Sequence, residues 1–143
     1  MISLQPQDSD YERRVRQSFA RQHVMQLIGA TLGRVEPGAV DIVLPFRENL
    51  TQQNGYIHAG IITTVADSAC GYAAYTLMPA DSEVLSVEFK VNLLRPAGGE
   101  LFAAEGRVLK AGKTLTVTRC DVYGRTGEEA KLVATMLATM IRR

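Results

Sequence analysis

The strongest constraint on the fold is a long apolar segment, residues 58–78, that contains a single charged residue, Asp67. Its apolar side chains recur at steps of three and four, which predicts a helix over 58–78 that ends before Pro79. These side chains are Ile62, Val65, Ala66, Ala69, Ala73 and Leu77. Because a central carboxylate is costly in a bilayer, the segment is better interpreted as a buried helix of a soluble protein than as a membrane span.

Most of the remaining chain has the alternating pattern of β-strands. A hairpin is predicted over residues 30–46, with its turn at 36–39. Residues 85–93 alternate apolar and polar side chains over nine positions, which predicts a half-buried strand. Two further strands are predicted at 100–110 and 113–124. Residues 130–141 are ambiguous by periodicity, and their position after a hairpin favours a strand. Short turns between the last four strands favour antiparallel pairing, so we expect an α+β fold in which an antiparallel sheet surrounds one long helix.

The N-terminal residues have a different pattern. Apolar residues at near-helical spacing, set between arginines, predict one or two short amphipathic helices over 10–28 that cover an edge of the fold. Residues 1–27 are therefore interpreted as a helical extension of a single domain that spans residues 1–143. A chain of 143 residues with 46% hydrophobic and 22% charged residues is typical of one globular domain.

Composition argues against several classes of function. A net charge of +1 provides no extended field for nucleic acid or an anionic membrane. Cys70 and Cys120 lack the spacing of a disulfide framework or a zinc site, and the chain has only two histidines, so we expect no metal. The polar N-terminus is unlike a secretory signal, and the expected location is the cytoplasm.

Asp67 shares its helix face with small or weakly polar residues, which would let a ligand or another backbone approach the carboxylate. The residues of this face are Gly60, Thr63, Thr64, Gly71 and Ala74. Free N–H groups near Ala59, at the start of the helix, can bind an oxygen that carries negative charge. From spacing alone, a purely structural role for Asp67, such as a bond to a neighbouring hydroxyl, explains the sequence equally well.

Ala59 and Asp67 are two helical turns apart, about 12 Å along the axis. One substrate oxygen held at Ala59 therefore could not also touch Asp67 of the same helix. We expect the N–H donor and the carboxylate to come from two chains that face each other across a dimer.

The string QQNGYIHAGIITTVADSACGYAA at 52–74, with LSVEFKVNLLRPA and GRVLKAGKTLTVTRCDV after it, resembles the hotdog-fold acyl-CoA thioesterases of the phenylacetate-pathway (PaaI-like) type. That family has Gly-x-x-His-Gly-Gly, with Asp eight residues after the first of the paired glycines. The matching residues here are Gly55, His58, Ala59, Gly60 and Asp67. The resemblance extends over about residues 28–141 and implies a hotdog fold, an antiparallel sheet wrapped around the central helix.

The resemblance also implies catalytic roles. The N–H of Ala59, where the family usually has glycine, would bind the thioester oxygen. Asp67 would act as general base on water or as nucleophile. Gln52 would help to place water or the thioester, Ser86 would orient the attacking water, and His58 would hold the loop or the substrate.

Six further positions are expected to bind substrate. They are Asn54, Gly55, Gly60, Arg95, Lys110 and Lys113. The three cations lie at strand ends or turns, where the resemblance implies the CoA phosphates. Arg125 has a similar position, but a solvated surface charge is favoured for it. No cofactor is expected beyond the CoA of the substrate, and the implied assembly is a homodimer or a tetramer of hotdog dimers with shared active sites.

The predicted function is hydrolysis of an aryl or medium-chain acyl-CoA. Two alternatives remain: a hotdog hydratase or dehydratase, and a non-catalytic acyl-CoA-binding protein. The spacing of His58 and Asp67 fits the thioesterases better than the hydratases, and a pure binder needs no nucleophile. The tyrosines Tyr56, Tyr72 and Tyr75, with Ile57, fit an aryl or an aliphatic pocket equally well.

Overall fold

The computed structural model describes residues 4–143, and residues 1–3 of the predicted N-terminal extension lie outside the described residues. The helices are α1 (Tyr11–Ala20), α2 (His23–Ile28) and α3 (Ala59–Tyr75), with a 3-10 turn at Glu48–Leu50. The strands are β1 (Thr31–Glu36), β2 (Ala39–Pro45), β3 (Val84–Leu93), β4 (Leu101–Ala111), β5 (Leu115–Thr126) and β6 (Glu129–Arg142). They form one sheet in the order β1-β2-β4-β5-β6-β3, with every neighbouring pair antiparallel. The predicted α+β architecture is confirmed.

A glycine in β4 lets the central helix lie close to the sheet. A Cβ atom added at Gly106 would lie 2.3 Å from the carbonyl oxygen of Ala69 and 3.0 Å from the backbone nitrogen of Cys70. Contacts this short do not occur in folded proteins, so α3 can reach this depth only over a residue without a side chain. Gly106 pairs across the ladder with Cys120, and the side chains of Cys70 and Cys120 are both fully buried.

Helix α3 ends three residues earlier than predicted, at Tyr75 instead of residue 78. The Thr76 hydroxyl donates to the Ala73 carbonyl (2.7 Å) and accepts the N–H of Gly38 (2.8 Å). The N–H groups of residues 77–78 bond to carbonyls three residues back, which tightens the last turn. Local side-chain bonding therefore ends the helix before the proline at position 79 can do so.

Arg14 of helix α1 bonds to the C-terminal end of α3. Its guanidinium donates to the carbonyls of Tyr75 (3.2 Å), Met78 (2.8 Å) and Pro79 (3.2 Å). It also lies 4.3 Å from the centroid of the Tyr75 ring and bonds to Asp8 at 3.0 Å. A cation satisfies the unpaired carbonyls at a helix C-terminus and interacts favourably with the helix dipole.

Strand β3 forms one edge of the sheet, and it is more exposed than predicted. It pairs only with β6, and a bulge between Ser86 and Glu88 interrupts the alternation of its two faces. The exposed fractions of its apolar side chains are 50% for Leu85, 54% for Val87, 44% for Phe89 and 55% for Leu93. This apolar row lies on both faces of the strand, because the bulge changes which positions face α3. The prediction of a half-buried strand is wrong for a single chain, since these side chains stay about half exposed on both faces within residues 4–143.

Candidate active site

The start of α3 leaves one backbone N–H group free. The Nδ1 atom of His58 accepts the N–H of Gly60 at 2.8 Å, so the imidazole caps the helix. The N–H of Gly60 is therefore already bonded within the chain and is not free to bind a ligand. The N–H of Ala59 has no acceptor among the described residues. It stands at the positive end of the helix and can bind an oxygen that carries negative charge.

Alanine fits at position 59, where the implied pattern has glycine. No non-glycine residue within residues 4–143 has a positive φ. The backbone of Ala59 is therefore in a region that alanine adopts without strain. The departure from glycine adds a methyl group beside the free N–H without changing the donor.

The turn before α3 contains three of the predicted site residues. The backbone N–H of Gln52 donates to the Tyr56 carbonyl at 2.9 Å, and the side-chain oxygen of Gln52 accepts the N–H of Asn54. Gly55 has a φ of 85°, a left-handed conformation that favours glycine. The turn therefore explains Gly55 by backbone geometry, and its predicted contact with substrate stays a prediction.

A cavity of about 600 Å³ opens at this turn. The predicted site residues that line it are Gln52, Asn54, His58, Ala59 and Arg95. Much of the remaining wall is apolar and includes Tyr56, Leu93 and Leu94. Arg95 also donates to the Leu132 carbonyl at 2.9 Å through Nη1, which fixes one terminal nitrogen of its guanidinium. The free N–H of α3 and one predicted CoA-binding cation thus share a cavity.

Asp67 lies further along α3, where β3 passes the helix. The Ser86 hydroxyl donates to Asp67 Oδ1 at 2.6 Å and also lies 3.4 Å from the sulfur of Met140. This bond fixes the orientation of the carboxylate, while no described side chain bonds its second oxygen, Oδ2. The structure therefore brings together two predicted catalytic residues that are 19 positions apart.

The predicted small-residue face of α3 is confirmed over most of its length. Gly60 is exposed, and the threonines at 63 and 64, Asp67 and Gly71 are partly exposed. Ala74 is the exception, because it is fully buried. At Gly71 the space is open, since an added Cβ would meet only the Met140 sulfur, at 4.0 Å.

A second cavity, of about 400 Å³, lies beside Asp67. A hydrogen-bond network that was not predicted from the sequence lines it. Ser68 donates to the Gln22 side-chain oxygen (3.0 Å), the Gln22 amide nitrogen donates to the Tyr72 hydroxyl (3.0 Å), and the Ser18 hydroxyl lies 3.2 Å from the same atom. Gln22 gave no signal in the sequence, because it lies in a polar stretch between two short helices.

The two predicted lysines lie elsewhere. Lys110 and Lys113 line a third cavity, of about 630 Å³, near Leu77 and Arg142 at the other end of α3. A single chain does not bring them to Ala59 or Asp67. Arg125 lies 3.7 Å from Glu105 as an exposed ion pair, in keeping with the surface role favoured for it.

The Cys120 thiol is poorly suited to act as a reactive thiolate. The hydrogen bond between the Cys70 and Cys120 side chains, together with burial, raises the pKa of the Cys120 thiol well above its ordinary value. Among residues 4–143, no three His, Cys, Asp or Glu side chains cluster closely enough to hold a metal ion. No described helix has the length and apolar character needed to span a bilayer.

Comparison of this chain with known proteins assigns it to a family. The family model described as thioesterase superfamily matches residues 54–131, which are 78 of the 143 residues. The chain belongs to the thioesterase superfamily. A relative from Listeria monocytogenes, named 1,4-dihydroxy-2-naphthoyl-CoA hydrolase, is 26% identical over 117 residues, which are 82% of this chain and 93% of the relative.

Solved structures support the same assignment. A thioesterase family protein from Silicibacter pomeroyi is 50% identical, with a TM-score of 0.91 over 92% of this chain and 97% of that chain. The PaaI protein from the E. coli phenylacetic acid degradation operon is 15% identical, with a TM-score of 0.85 over 96% of each chain, and shows the shared fold. This thioesterase-superfamily chain has the predicted hotdog fold.

Proposed function

We propose that this protein hydrolyses an aryl or medium-chain acyl-CoA to a carboxylic acid and free CoA. The observation that carries the proposal is that Asp67, bonded to Ser86, lines one cavity, while Ala59, with its free N–H, lines another. A carboxylate oriented by a hydroxyl and a backbone donor at a helix start are the two groups that acyl transfer to water needs. The name of the Listeria relative supports a CoA thioester as the substrate.

The proposed active site is shared between two copies of the chain. Asp67 and the N–H of Ala59 are about 12 Å apart along one helix, too far to act on one carbonyl group. Strand β3 presents an unpaired edge with an exposed apolar row beside Ser86. Antiparallel pairing of two β3 edges about a two-fold axis covers this row and brings Asp67 of one copy towards Ala59 of the other. The expected assembly is a homodimer or a tetramer of such dimers.

The chemistry follows from these two groups. The thioester oxygen gains negative charge as the carbonyl carbon becomes tetrahedral, and the N–H of Ala59 stabilises that charge by about 2.7–4 kcal/mol. Asp67 has two routes available to it. In one route it takes a proton from water, which attacks the carbon; in the other it attacks directly and water hydrolyses the resulting anhydride. In both routes the C–S bond breaks, CoA leaves as a thiol after gaining a proton, and no cofactor is consumed.

The other predicted residues have supporting roles. Gln52 and His58 are proposed to hold the loop at the helix start, and Ser86 to keep the Asp67 carboxylate facing the substrate. Arg95 is proposed to contact the CoA phosphates, because it lines the same cavity as Ala59. Lys110 and Lys113 contribute to the same CoA only if a neighbouring copy presents them. A cytoplasmic location stays a prediction.

A panel of acyl-CoAs with a colorimetric thiol reagent tests this proposal. We expect the unmodified protein to release free CoA, and Asp67→Asn to lower kcat by about 10²–10⁴-fold while CoA still binds. Asp81→Asn, which changes an exposed carboxylate outside the three cavities, serves as the matched control.

Each alternative function has its own outcome in this assay. Binding without CoA release from any ester would indicate a non-catalytic acyl-CoA-binding protein. Addition or loss of water with the thioester intact would indicate a hydratase or dehydratase. Unchanged turnover in Asp67→Asn would leave that carboxylate with a structural role only.

A further inference from the structure

We propose that the cavity at the turn between β4 and β5 is a second ligand site, separate from the active site. Its ligand is a small organic molecule that carries a diphosphate or two phosphate groups. The cavity has a volume of about 630 Å³ and is lined by Leu77, which lies about 15 Å beyond Asp67 along the direction of α3.

Three cations from separate parts of the chain meet at this cavity. Lys110 lies near the end of β4, Lys113 lies in the turn that follows, and Arg142 ends β6. The backbone N–H of Arg142 donates to the Thr114 carbonyl at 2.9 Å, which holds the end of β6 beside the turn. No Asp or Glu side chain of residues 4–143 lines the cavity, so these positive charges are not compensated there.

The three cationic side chains have no partner in the part of the chain that the structure describes. None of them forms an ion pair or a side-chain hydrogen bond there. Other cations of the sheet are paired, since Arg107, Arg119 and Arg125 lie 2.8, 3.2 and 3.7 Å from a carboxylate oxygen. Because like charges repel, uncompensated cations that share a cavity lower the stability of the free protein, and a bound anion removes that cost.

The charge and chemistry of the three side chains favour phosphate as the anion. A single carboxylate would balance only one of the three positive charges, whereas a diphosphate carries several negative charges in a compact group. The planar guanidinium of Arg142 can bond to two phosphate oxygens at once, and a lysine ammonium binds phosphate as a point charge. These two donor types together match a ligand with more than one phosphate group.

The size and the apolar wall of the cavity indicate an organic part of the ligand. Cavities that bind small organic molecules have volumes of about 300–1,000 Å³, and this cavity lies within that range. Leu4 and Leu77 line it together with the cations, and Leu4 packs on the buried side chains of Ala73, Leu77 and Val108. The Gln7 side chain donates to the Leu77 carbonyl at 3.2 Å, which holds the N-terminal segment at the cavity. A ligand here contacts the N-terminal segment and the sheet together.

Calorimetric titration with inorganic pyrophosphate tests the cations. We expect the unmodified protein to bind pyrophosphate, and Lys113→Gln and Arg142→Gln each to weaken that binding by at least about tenfold. Lys90→Gln removes an exposed lysine that does not line the cavity, so it is the matched control and should bind pyrophosphate normally. Equal affinities of all three variants for pyrophosphate, or equal affinities of the unmodified protein for citrate and pyrophosphate, would overturn the phosphate site.

Two further measurements test the organic part and the charge. In the Arg95→Gln background, ADP should bind more tightly than pyrophosphate because its adenosine contacts the apolar wall, and weaker binding of ADP would contradict that contact. Saturating pyrophosphate should raise the Tm of the unmodified protein by at least about 3 °C. Without ligand, Lys113→Gln should have an equal or higher Tm, because one repelling charge is removed. A lower Tm would give Lys113 a structural role.

The KM for acyl-CoA separates this site from the proposed active site. Arg95→Gln should raise this KM and leave the affinity for pyrophosphate unchanged, whereas Lys113→Gln should do the reverse. A KM raised equally in both variants would assign Lys113 to the CoA of a neighbouring copy and overturn a separate site. Pyrophosphate binding that depends on Lys113, in a protein that hydrolyses no acyl-CoA, would support the second site and reject the proposed function.

Discussion

At the scale of single residues, the imidazole of His58 decides which backbone group is left for a ligand. Its bond to the N–H of Gly60 holds the first turn of α3 and leaves the preceding N–H, that of Ala59, without an acceptor in the described chain. A side chain predicted to hold the loop or the substrate thus has an observed capping role at the helix start. Ser86 acts similarly on Asp67, because it bonds one carboxylate oxygen and leaves the other free.

The buried thiols provide a prediction at this scale. Because the raised pKa of Cys120 lowers its thiolate fraction at every pH below that value, the folded protein should resist iodoacetamide between about pH 7 and 9. After unfolding, both Cys70 and Cys120 should be alkylated, as counted by mass spectrometry. Ser9→Cys, at an exposed position, should label rapidly in the folded state. Rapid labelling of Cys120 in the native protein would show that the thiol is accessible and ionised.

Residue roles could be predicted only where a motif or a charge marked them. Asp67 stands out as the single charge in an apolar helix, and Ala59 as the start of that helix. Gln22 could not be found in the same way, because its importance comes from a contact with Ser68, 46 positions away. Nothing in a polar stretch between two helices indicates which amide will face a cavity.

At the scale of elements, the depth of α3 in the sheet depends on Gly106. The helix backbone at Ala69 occupies the space that a side chain at 106 would fill. Periodicity predicted the helix and five of the six strands, because each pattern is a local property of the chain. The sixth strand, at residues 130–141, is ambiguous by periodicity and is predicted from its position after a hairpin. Periodicity could not predict the helix end at Tyr75, which is set by a hydroxyl bond to a distant loop, or the exposure of β3, which depends on its neighbours in the sheet.

A matched pair of glycine variants tests this packing. Gly106→Ala should lower the free energy of unfolding by about 1–3 kcal/mol, because the helix must shift away from the sheet. Gly71→Ala adds the same methyl group on the open face of α3 and should leave the stability unchanged or raise it by up to about 1 kcal/mol. Urea unfolding followed by circular dichroism measures both. Equal stabilities of the two variants would contradict the close contact at Gly106.

At the scale of the whole molecule, the proposed dimer gives β3 a part in both assembly and catalysis. The strand that carries Ser86 also carries the exposed apolar row, so the proposed two-fold pairing covers the row and completes the active site in one step. An unpaired edge of this kind is otherwise prone to aggregation.

Mixed assemblies test the shared site. Ala59→Pro removes the N–H at the first helical position, where proline is favoured, and the extended backbone of His58 (φ −58°, ψ 138°) accommodates a following proline. Alone, Ala59→Pro and Asp67→Asn should each be nearly inactive. After subunit exchange they should regain about a quarter of the normal activity, since random pairing makes half of the dimers mixed and each mixed dimer has one intact site. No recovery despite verified exchange would place the whole site within one chain.

The hydrogen bonds of Arg14 to the end of α3 also affect the cavity beside Asp67. Arg14 ties α1 to the helix that carries Asp67, and Gln22 follows α1 by two residues. Ser18 of α1 and Gln22 line the same cavity as Asp67, so Arg14 also fixes one wall of that cavity relative to the carboxylate. Movement of α1 relative to α3 would therefore change the shape of the cavity beside Asp67.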